Sequence, residues 1–252
     1  MIRVLFGVMF VLLSAVVLLN CGNAEKDTPK TISEVASLPS LQALLDAKKA
    51  DFAKMASDEM KQVFEDGLKQ VASSGVLETA LSKGDKAPDF ELPNAKGEMV
   101  QLSNLLKSGP VVLTWYRGGW CPYCNIQLNA YNQALSEFKA ANGQLVAISP
   151  EIPDSSLSTS ERNNLKFEVL SDNNNIVAKE FGLVYTLPEN VAKILGGMID
   201  LEAYNNNSSN QLPLAVTYII DKDLTIQYAF IEADYKKRAE PSELIGVLNS
   251  LK

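Results

Sequence analysis

An apolar segment that leads directly into two closely spaced cysteines constrains the fold of this chain more than any other feature. Residues 110–116 are a near-continuous apolar run, which predicts a central strand buried on both faces of a sheet. Residues 121–142 then show helical periodicity, and Gly143 ends the pattern. Cys121 and Cys124 occupy the first turn of this helix. The pattern therefore places two thiols at a helix N-terminus that follows a buried strand.

The start of a helix favours the reactive form of a cysteine. A thiol attacks only as its thiolate, so a working site must lower its free pKa of about 8.5. We expect Cys121 at the N-cap and Pro122 at the first helical position, where the missing N–H of proline costs nothing. Unpaired N–H groups and the helix dipole then point at the sulfur, and Arg117 adds a permanent cation nearby. Cys124 follows one turn later, so a disulfide is geometrically easy. Cys121, Cys124 and Arg117 are the candidate catalytic residues.

The loop before the helix supplies the candidate substrate-binding residues. Gly118 and Gly119 let the backbone turn tightly and leave space above the sulfur, and Trp120 offers an apolar wall. The alternatives to redox chemistry are a static disulfide, two inert core thiols, or a zinc site that lacks further ligands.

Composition narrows the chemistry further. The 252 residues include no histidine and three cysteines, which excludes a Cys–His pair, a histidine general base and most catalytic zinc sites. We find no flavin, nicotinamide or haem motif, so no cofactor and no metal are expected. Reducing equivalents must then come from a partner protein or a small thiol. The net charge of −7 without a basic run argues against nucleic-acid binding.

The helical pattern also indicates which sulfur attacks. Spacings of four and three residues define one apolar stripe, which comprises Cys124, Leu128, Tyr131, Leu135 and Phe138. This stripe puts Cys124 on the buried side of the helix. By this argument Cys121 is the accessible attacker, and Cys124 resolves the mixed disulfide.

The N-terminus has the pattern of an export signal. Residues 4–19 are almost wholly apolar; at about 1.5 Å per residue they span roughly 24 Å, short for a hydrocarbon core of about 30 Å. A secretory signal peptide over residues 1–20 is therefore predicted. Leu18 and Cys21 fit a bacterial lipobox, whereas Asn20 stands where a small residue is usual. We expect lipidation at Cys21 and an exported, membrane-anchored or periplasmic protein; plain secretion and an uncleaved anchor are the alternatives.

The rest of the chain divides into three segments. Residues 21–40 are polar and predict a tether. Residues 41–82 show helical spacing that ends near Gly75. This helical extension either packs against the main domain or forms an oligomerisation surface. In the second case the protein is expected to be a homodimer. Residues 84–252 alternate strands and helices, which predicts an α/β domain with a mixed central sheet covered by helices. Residues 204–210 are expected to form an exposed loop.

Several segments of the main domain resemble one family. They are residues 84–93, 111–124, 147–150, 218–221 and 234–241. They are similar to the alkyl hydroperoxide reductase / thiol-specific antioxidant family, most of all to its peroxiredoxin-like branch with a Cys-x-x-Cys site. The resemblance implies a thioredoxin-like fold, a peroxide or disulfide substrate, and reduction by a thioredoxin-like protein or a small thiol.

The resemblance assigns the cysteines differently from the helical stripe. The peroxiredoxin motif Pro-x-x-x-Thr-x-x-Cys ends on the peroxidatic cysteine, which falls on Cys124; Cys121 replaces the threonine and Arg117 the proline. The family's arginine before the last central strand falls near Ala215, where there is none, so Arg117 is expected to replace its charge. The proline nearest to the position of the thioredoxin cis-proline is Pro213.

Three functions are compatible with these residues. The first is a thiol-dependent peroxidase for hydrogen peroxide or organic hydroperoxides, with a Cys121/Cys124 dithiol–disulfide cycle; in this case Cys124 is expected to be the peroxide-reactive thiol. The second is an exported thiol–disulfide oxidoreductase acting on protein disulfides; in this case Cys121 is expected to be the entry nucleophile. The third is a non-catalytic lipoprotein that senses redox state or binds a ligand.

Overall fold

The structure is a computed structural model that describes residues 39–251. The predicted signal peptide, Cys21 and all but the last two residues of the predicted tether lie outside the described residues. None of the helices between residues 39 and 251 combines the length and hydropathy that a membrane span requires.

Strands and helices alternate over much of the described segment, which agrees with the predicted α/β domain. The strands are β1 (Glu91–Pro93), β2 (Met99–Gln101), β3 (Val111–Trp115), β4 (Gln144–Ser149), β5 (Glu168–Ser171), β6 (Val184–Thr186), β7 (Gln211–Pro213), β8 (Thr217–Ile220) and β9 (Ile226–Phe230). The helices are α1 (Leu41–Met55), α2 (Asp58–Ala72), α3 (Val76–Thr79), α4 (Leu102–Leu106), α5 (Pro122–Gln133), α6 (Leu135–Ala140), α7 (Pro153–Arg162), α8 (Ile176–Glu180), α9 (Glu189–Gly196), α10 (Leu201–Asn205) and α11 (Pro241–Ser250), with a 3-10 turn at Asn173–Asn175.

The central sheet is mixed, as the sequence predicts. Its strand order is β5-β4-β3-β8-β9. β3 pairs in parallel with β4 and antiparallel with β8, and β8 pairs antiparallel with β9. β3 lies in the middle of the sheet, and all five of its residues are buried, which agrees with the apolar run that predicted it.

Side chains of β3 alternate between two hydrophobic clusters, one on each face of the sheet. Leu113 and Trp115 belong to one cluster together with Phe181. Val112 belongs to the other, which also contains Cys121 and Cys124. The cysteine helix therefore packs directly on the central strand.

The predicted helical extension consists of α1 and α2, followed by the short helix α3 beyond Gly75. α1 contacts α5, and α2 contacts α9. Leu41 and Leu45 of α1 are buried in the cluster that contains Cys124. The carboxylate of Glu240 accepts hydrogen bonds of 3.1 and 2.7 Å from the first two N–H groups of α1, which satisfies donors that a helix start leaves free. The extension is therefore packed onto the main domain beside the cysteine helix.

Two predicted helices have different bounds. The single helix expected over residues 121–142 is two helices, α5 and α6, which meet at Ala134. The sequence also predicts a helix over residues 158–164, but α7 begins at Pro153 and ends at Arg162. A proline at the first helical position is itself a start signal.

The prediction of an exposed loop over residues 204–210 is wrong at its start. Asn205 is 3% exposed and ends α10. Its carbonyl oxygen accepts a hydrogen bond of 2.8 Å from the side chain of Asn173. Asparagine side chains bond to nearby backbone, so a polar composition does not by itself predict exposure.

Candidate active site

The loop between β3 and α5 brings the cysteines to the start of a helix, as predicted. Cys121 is the N-cap of α5 and Pro122 its first residue. Gly118 has φ of +145°, and a Cβ there would collide with the indole of Trp120. Only glycine fits this position without moving the tryptophan.

Glu151, at the end of β4, fixes the other glycine of the loop. One of its carboxylate oxygens accepts a hydrogen bond of 2.8 Å from the backbone N–H of Gly119. The other accepts from Tyr116 at 3.0 Å and from Ser149 and Thr159 at 3.3 Å each. The carboxylate is fully buried, and burial raises its pKa although these hydrogen bonds oppose the shift. Sequence reasoning did not identify Glu151, although it follows a segment that resembles the family.

Both thiols are free and buried, with exposures of 1% for Cys121 and 0% for Cys124. The expectation that Cys121 is the accessible sulfur is therefore wrong in this reduced state. The helical stripe describes only one face of α5, whereas other segments also cover Cys121: α1 contacts α5, and Tyr235 packs against the cluster that contains both cysteines. The rings of Tyr123 and Tyr235 pack edge to face there, with centroids 5.6 Å apart.

The two sulfurs differ in their preferred protonation state. Burial alone would raise the pKa of Cys124, but the hydrogen bond from Cys121 and the charges of Arg238 and Arg117 outweigh it and lower this pKa to about 5. Burial and the neighbouring Cys124 raise the pKa of Cys121 well above its ordinary value. At neutral pH the pair therefore holds a thiolate at Cys124 and a thiol at Cys121.

Arg238 is the cation that sequence reasoning missed. Its Nη2 lies 3.4 Å from Sγ of Cys124, and its Nε donates a hydrogen bond of 2.8 Å to Oε1 of Gln127. Gln127 in turn donates to Oγ1 of Thr114 at 3.1 Å. The sequence lacks the family's arginine near Ala215. The positive charge beside the thiol comes instead from Arg238, in the segment after β9. The only available signal was that residues 234–241 resemble the family.

Arg117 lies under the aromatic rings rather than beside a carboxylate. It is 3% exposed, and its guanidinium carbon is 4.2 Å from the ring centroid of Tyr235 and 4.9 Å from that of Trp120. Burial works against its charge, but Tyr185 and the thiols raise its pKa overall. The side chain is a buried cation stacked on aromatic faces, and its charge helps to lower the pKa of Cys124.

A cleft of about 330 Å³ lies over Cys121, Pro122 and Arg117. Its apolar wall comes from α1, α2, α9 and three loops and includes Phe52, Phe64, Trp120, Leu195, Ile199 and Tyr235. Of the predicted substrate-binding residues, Trp120 lines this cleft, whereas Gly118 and Gly119 are buried in the loop beneath. Within residues 39–251, no group of Cys, Asp and Glu side chains is placed to hold a metal ion.

The fold and the site together define a class of protein. A mixed sheet with a reduced Cys-x-x-Cys pair at the start of a helix, one sulfur held as thiolate, is a thioredoxin-like thiol redox centre. The model of the AhpC/TSA family matches residues 83–229, more than half of the chain. The chain therefore belongs to the AhpC/TSA family, and it is an enzyme of the thiol peroxidase class.

Individual relatives agree with this assignment. The chain is 29% identical over 178 residues to chloroplastic peroxiredoxin Q of Triticum aestivum, which covers 71% of this chain and 70% of the relative. It is 35% identical over 105 residues to a putative peroxiredoxin bcp of Buchnera aphidicola, an alignment that covers 42% of this chain and 66% of the relative. The crystal structure of peroxidoxin BcpB from Mycobacterium tuberculosis matches with a TM-score of 0.55 at 23% identity, covering 68% of this chain and 99% of that one. This last likeness supports the fold alone.

Proposed function

We propose that this protein reduces hydroperoxides through a dithiol–disulfide cycle in which Cys124 reacts with the peroxide and Cys121 resolves the product. The observation that carries this proposal is the contact of 3.4 Å between Arg238 and the sulfur of Cys124, together with the lowered pKa of that thiol. A peroxidase needs a thiolate at working pH, and Cys124 supplies it.

The first step oxidises Cys124. Its sulfur forms a bond to one peroxide oxygen and supplies the two electrons that break the O–O bond. The product is a sulfenic acid at Cys124, and the departing alkoxide or hydroxide takes up a proton. Negative charge develops on that leaving oxygen, so the cations of Arg238 and Arg117 favour the transition state.

The second step closes the disulfide. The sulfur of Cys121 attacks the sulfenic sulfur of Cys124, an S–S bond forms, and water leaves. One helical turn separates the two residues, and they already share a hydrogen bond in the reduced state. An external dithiol, from a thioredoxin-like protein or two small thiols, then takes up the oxidising equivalent and restores both cysteines. Since both sulfurs are buried, the floor of the cleft must open for the peroxide to enter.

Stopped-flow oxidation by hydrogen peroxide, followed by tryptophan fluorescence, tests these roles. We expect a second-order rate far above that of a free thiol for the wild type, and no fast phase for Cys124→Ser. The Cys121→Ser variant should keep the fast phase and accumulate a sulfenic acid, which dimedone labelling and mass spectrometry detect. Fast oxidation of Cys124→Ser but not of Cys121→Ser would reverse the roles. A wild-type rate no higher than that of a free thiol would refute the proposed peroxidase function.

One observation favours a second candidate, a thiol–disulfide oxidoreductase. Cys121 lines the cleft, whereas Cys124 lies behind it. This order suits attack by Cys121 on a protein disulfide, with Cys124 as the resolving thiol. Two results together would favour this candidate. The Cys124→Ser variant would form a stable mixed disulfide with insulin, and the wild type would not turn over peroxide.

We also propose export as a lipoprotein, with residues 1–20 as the signal, Cys21 as the lipidated residue and residues 21–40 as a tether. The support is the apolar run followed by a lipobox-like sequence. Labelling with a radioactive fatty acid tests it. Label on the wild type but not on Cys21→Ser is the expected result, and an unlabelled, unprocessed wild type would contradict it.

A further inference from the structure

The cleft over the dithiol is larger than hydrogen peroxide requires. Its volume is about 330 Å³, and one water occupies about 30 Å³ of liquid. The cleft therefore has room for far more than a hydrogen peroxide molecule, because its volume lies at the lower end of the range of pockets that bury most of a drug-sized ligand. Most of its surface is apolar, so its occupant has an apolar body.

The helical extension builds much of this cleft. The AhpC/TSA match begins at residue 83, whereas Phe52 of α1 and Phe64 of α2 form part of the wall. These two rings pack edge to face, with centroids 5.6 Å apart. Met55 and Met198, also in the lining, are 75% and 59% exposed. Exposed large apolar side chains around a concavity are typical of a binding surface.

The charge of the cleft opposes the charge of the whole protein. The chain has a net charge of −7, yet the lining has five cations and one carboxylate, which are Lys48, Lys49, Lys61, Arg117, Lys236 and Glu65. A cleft with one sign of charge and apolar walls attracts ligands of the opposite sign.

The lysines of α1 are the ones free to bind a ligand. Lys61 pairs with Asp58 at 3.0 Å, and Lys236 lies 3.5 Å from Asp234. Lys48 and Lys49 form no such pair with a carboxylate among the described residues. They are adjacent in the chain, on the helix that also contributes Phe52.

We propose that this cleft selects amphiphilic acids that bear a hydroperoxide, such as a long-chain fatty-acid hydroperoxide, over neutral hydroperoxides. Lys48 and Lys49 bind the acid group, and the apolar wall takes the hydrocarbon chain. The hydroperoxide then lies on the floor over Arg117 and Cys121, and it reaches Cys124 when this floor opens. The inference rests on the proposed peroxidase function and uses its reaction unchanged. It makes the helical extension the part of the chain that determines substrate preference.

Matched substrates and matched variants test the proposal on the full chain. The substrates are an 18-carbon fatty-acid hydroperoxide, its methyl ester and hydrogen peroxide, each below its aggregation concentration. Lys48→Gln/Lys49→Gln removes the two cations from the cleft. Lys83→Gln/Lys139→Gln removes two exposed lysines that do not line it, so both variants change the net charge equally. Binding of palmitate, followed by tryptophan fluorescence, gives a readout that requires no turnover.

We expect the wild type to react faster with the acid than with the ester, and added salt to reduce this preference. Lys48→Gln/Lys49→Gln should lower the acid-to-ester rate ratio roughly threefold to tenfold and weaken palmitate binding, whereas Lys83→Gln/Lys139→Gln should change neither. Equal rates for acid and ester, beside fast reaction with hydrogen peroxide, would overturn this inference and leave the proposed function intact. Slow reaction with all three substrates would instead refute the peroxidase. If Lys48→Gln/Lys49→Gln lost binding to anionic vesicles but bound palmitate as the wild type does, the two lysines would contact a membrane surface, and this result would also overturn the inference.

Discussion

The guanidinium of Arg238 lies 3.4 Å from the sulfur of Cys124, although 114 positions separate them in the chain. The same side chain donates to Gln127, which lies one turn after Cys124 on α5. The arginine is therefore held by the helix that bears the thiol it stabilises. This arrangement makes Cys124, rather than Cys121, the thiolate at neutral pH.

Replacement of Arg238 should raise the pKa of Cys124. In the wild type this pKa is lowered to about 5, so the rate of peroxide oxidation should be constant at neutral pH and fall as the pH decreases through about 5. Arg238→Gln should shift this midpoint upward by about 1–3 units, since an opposite charge in contact is lost. Thiolate absorbance near 240 nm as a function of pH measures the shift directly.

Arg238→Lys is the control that keeps the charge. It should keep the pKa of Cys124 low but lose the hydrogen bond that the planar guanidinium donates to Gln127. An unchanged midpoint in Arg238→Gln would mean that the hydrogen bond from Cys121 and the charge of Arg117 suffice to stabilise the thiolate.

The local part of the site could be predicted from the sequence. The strand, the glycine turn and the helix start at residues 110–124 depend on periodicity and capping, which are properties of neighbouring residues. The position of Cys121 at the N-cap followed from Pro122 alone. The mixed central sheet followed from the alternation of strands and helices in residues 84–252.

The rest depended on contacts between distant segments. Arg238 reaches the thiol only because β8 pairs with β3 and the segment after β9 returns to the helix that bears Cys124. Cys121 is buried because α1, which precedes it by more than sixty residues, packs on α5. Glu151 binds the loop from the end of β4, and no spacing in the sequence reveals such a pairing. Periodicity describes one helix face and not what covers it.

Glu151→Gln should make stability depend less on pH. The unfolded chain ionises this carboxyl near its ordinary pKa of 4.5, whereas burial raises the pKa in the folded protein. The stability due to Glu151 is therefore fully present below pH 4.5 and is lost as the pH rises through the folded value. Urea denaturation at a series of pH values should show the wild type losing stability relative to Glu151→Gln over this interval.

Glu151→Ala serves as the contrasting variant. It leaves the N–H of Gly119 and the hydroxyl of Tyr116 without their acceptor, which should cost about 2–4 kcal/mol. A parallel pH dependence of wild type and Glu151→Gln would mean that Glu151 is not the group that titrates.

Gly118→Ala should displace Trp120. Gly118 has φ of +145°, and an added Cβ would collide with the indole. Gly84→Ala is the matched control, because Gly84 also has a positive φ, of +100°, but nothing lies within 4 Å of the added Cβ. Backbone strain of about 1–2 kcal/mol is common to both variants.

The excess destabilisation of Gly118→Ala over Gly84→Ala therefore measures the collision, and we expect about 1–3 kcal/mol. Tryptophan fluorescence should shift in Gly118→Ala and not in Gly84→Ala. Equal free energies of unfolding and equal spectra would show that Trp120 moves without cost and that the loop does not fix it.

Arg117→Met should separate stability from reactivity. Arg117 is a cation that is 3% exposed and forms no ion pair with a carboxylate in the described part of the chain. Aromatic faces at 4.2 and 4.9 Å offset only part of the desolvation cost. An apolar side chain of similar length should therefore leave the free energy of unfolding unchanged or raise it by about 1 kcal/mol. The pKa of Cys124 should rise by about 1 unit, because one of its two cations is gone.

Arg117→Lys keeps a charge at this position, so the pKa of Cys124 should remain low, but the ammonium stacks less well on the rings of Tyr235 and Trp120. Urea denaturation and thiolate absorbance on the three proteins give both quantities. A loss of more than about 3 kcal/mol in Arg117→Met would be the cost of breaking a satisfied buried pair and would show that Arg117 stabilises the fold. Unchanged or higher stability combined with a raised thiol pKa would mean that the buried cation is retained for its effect on the sulfur.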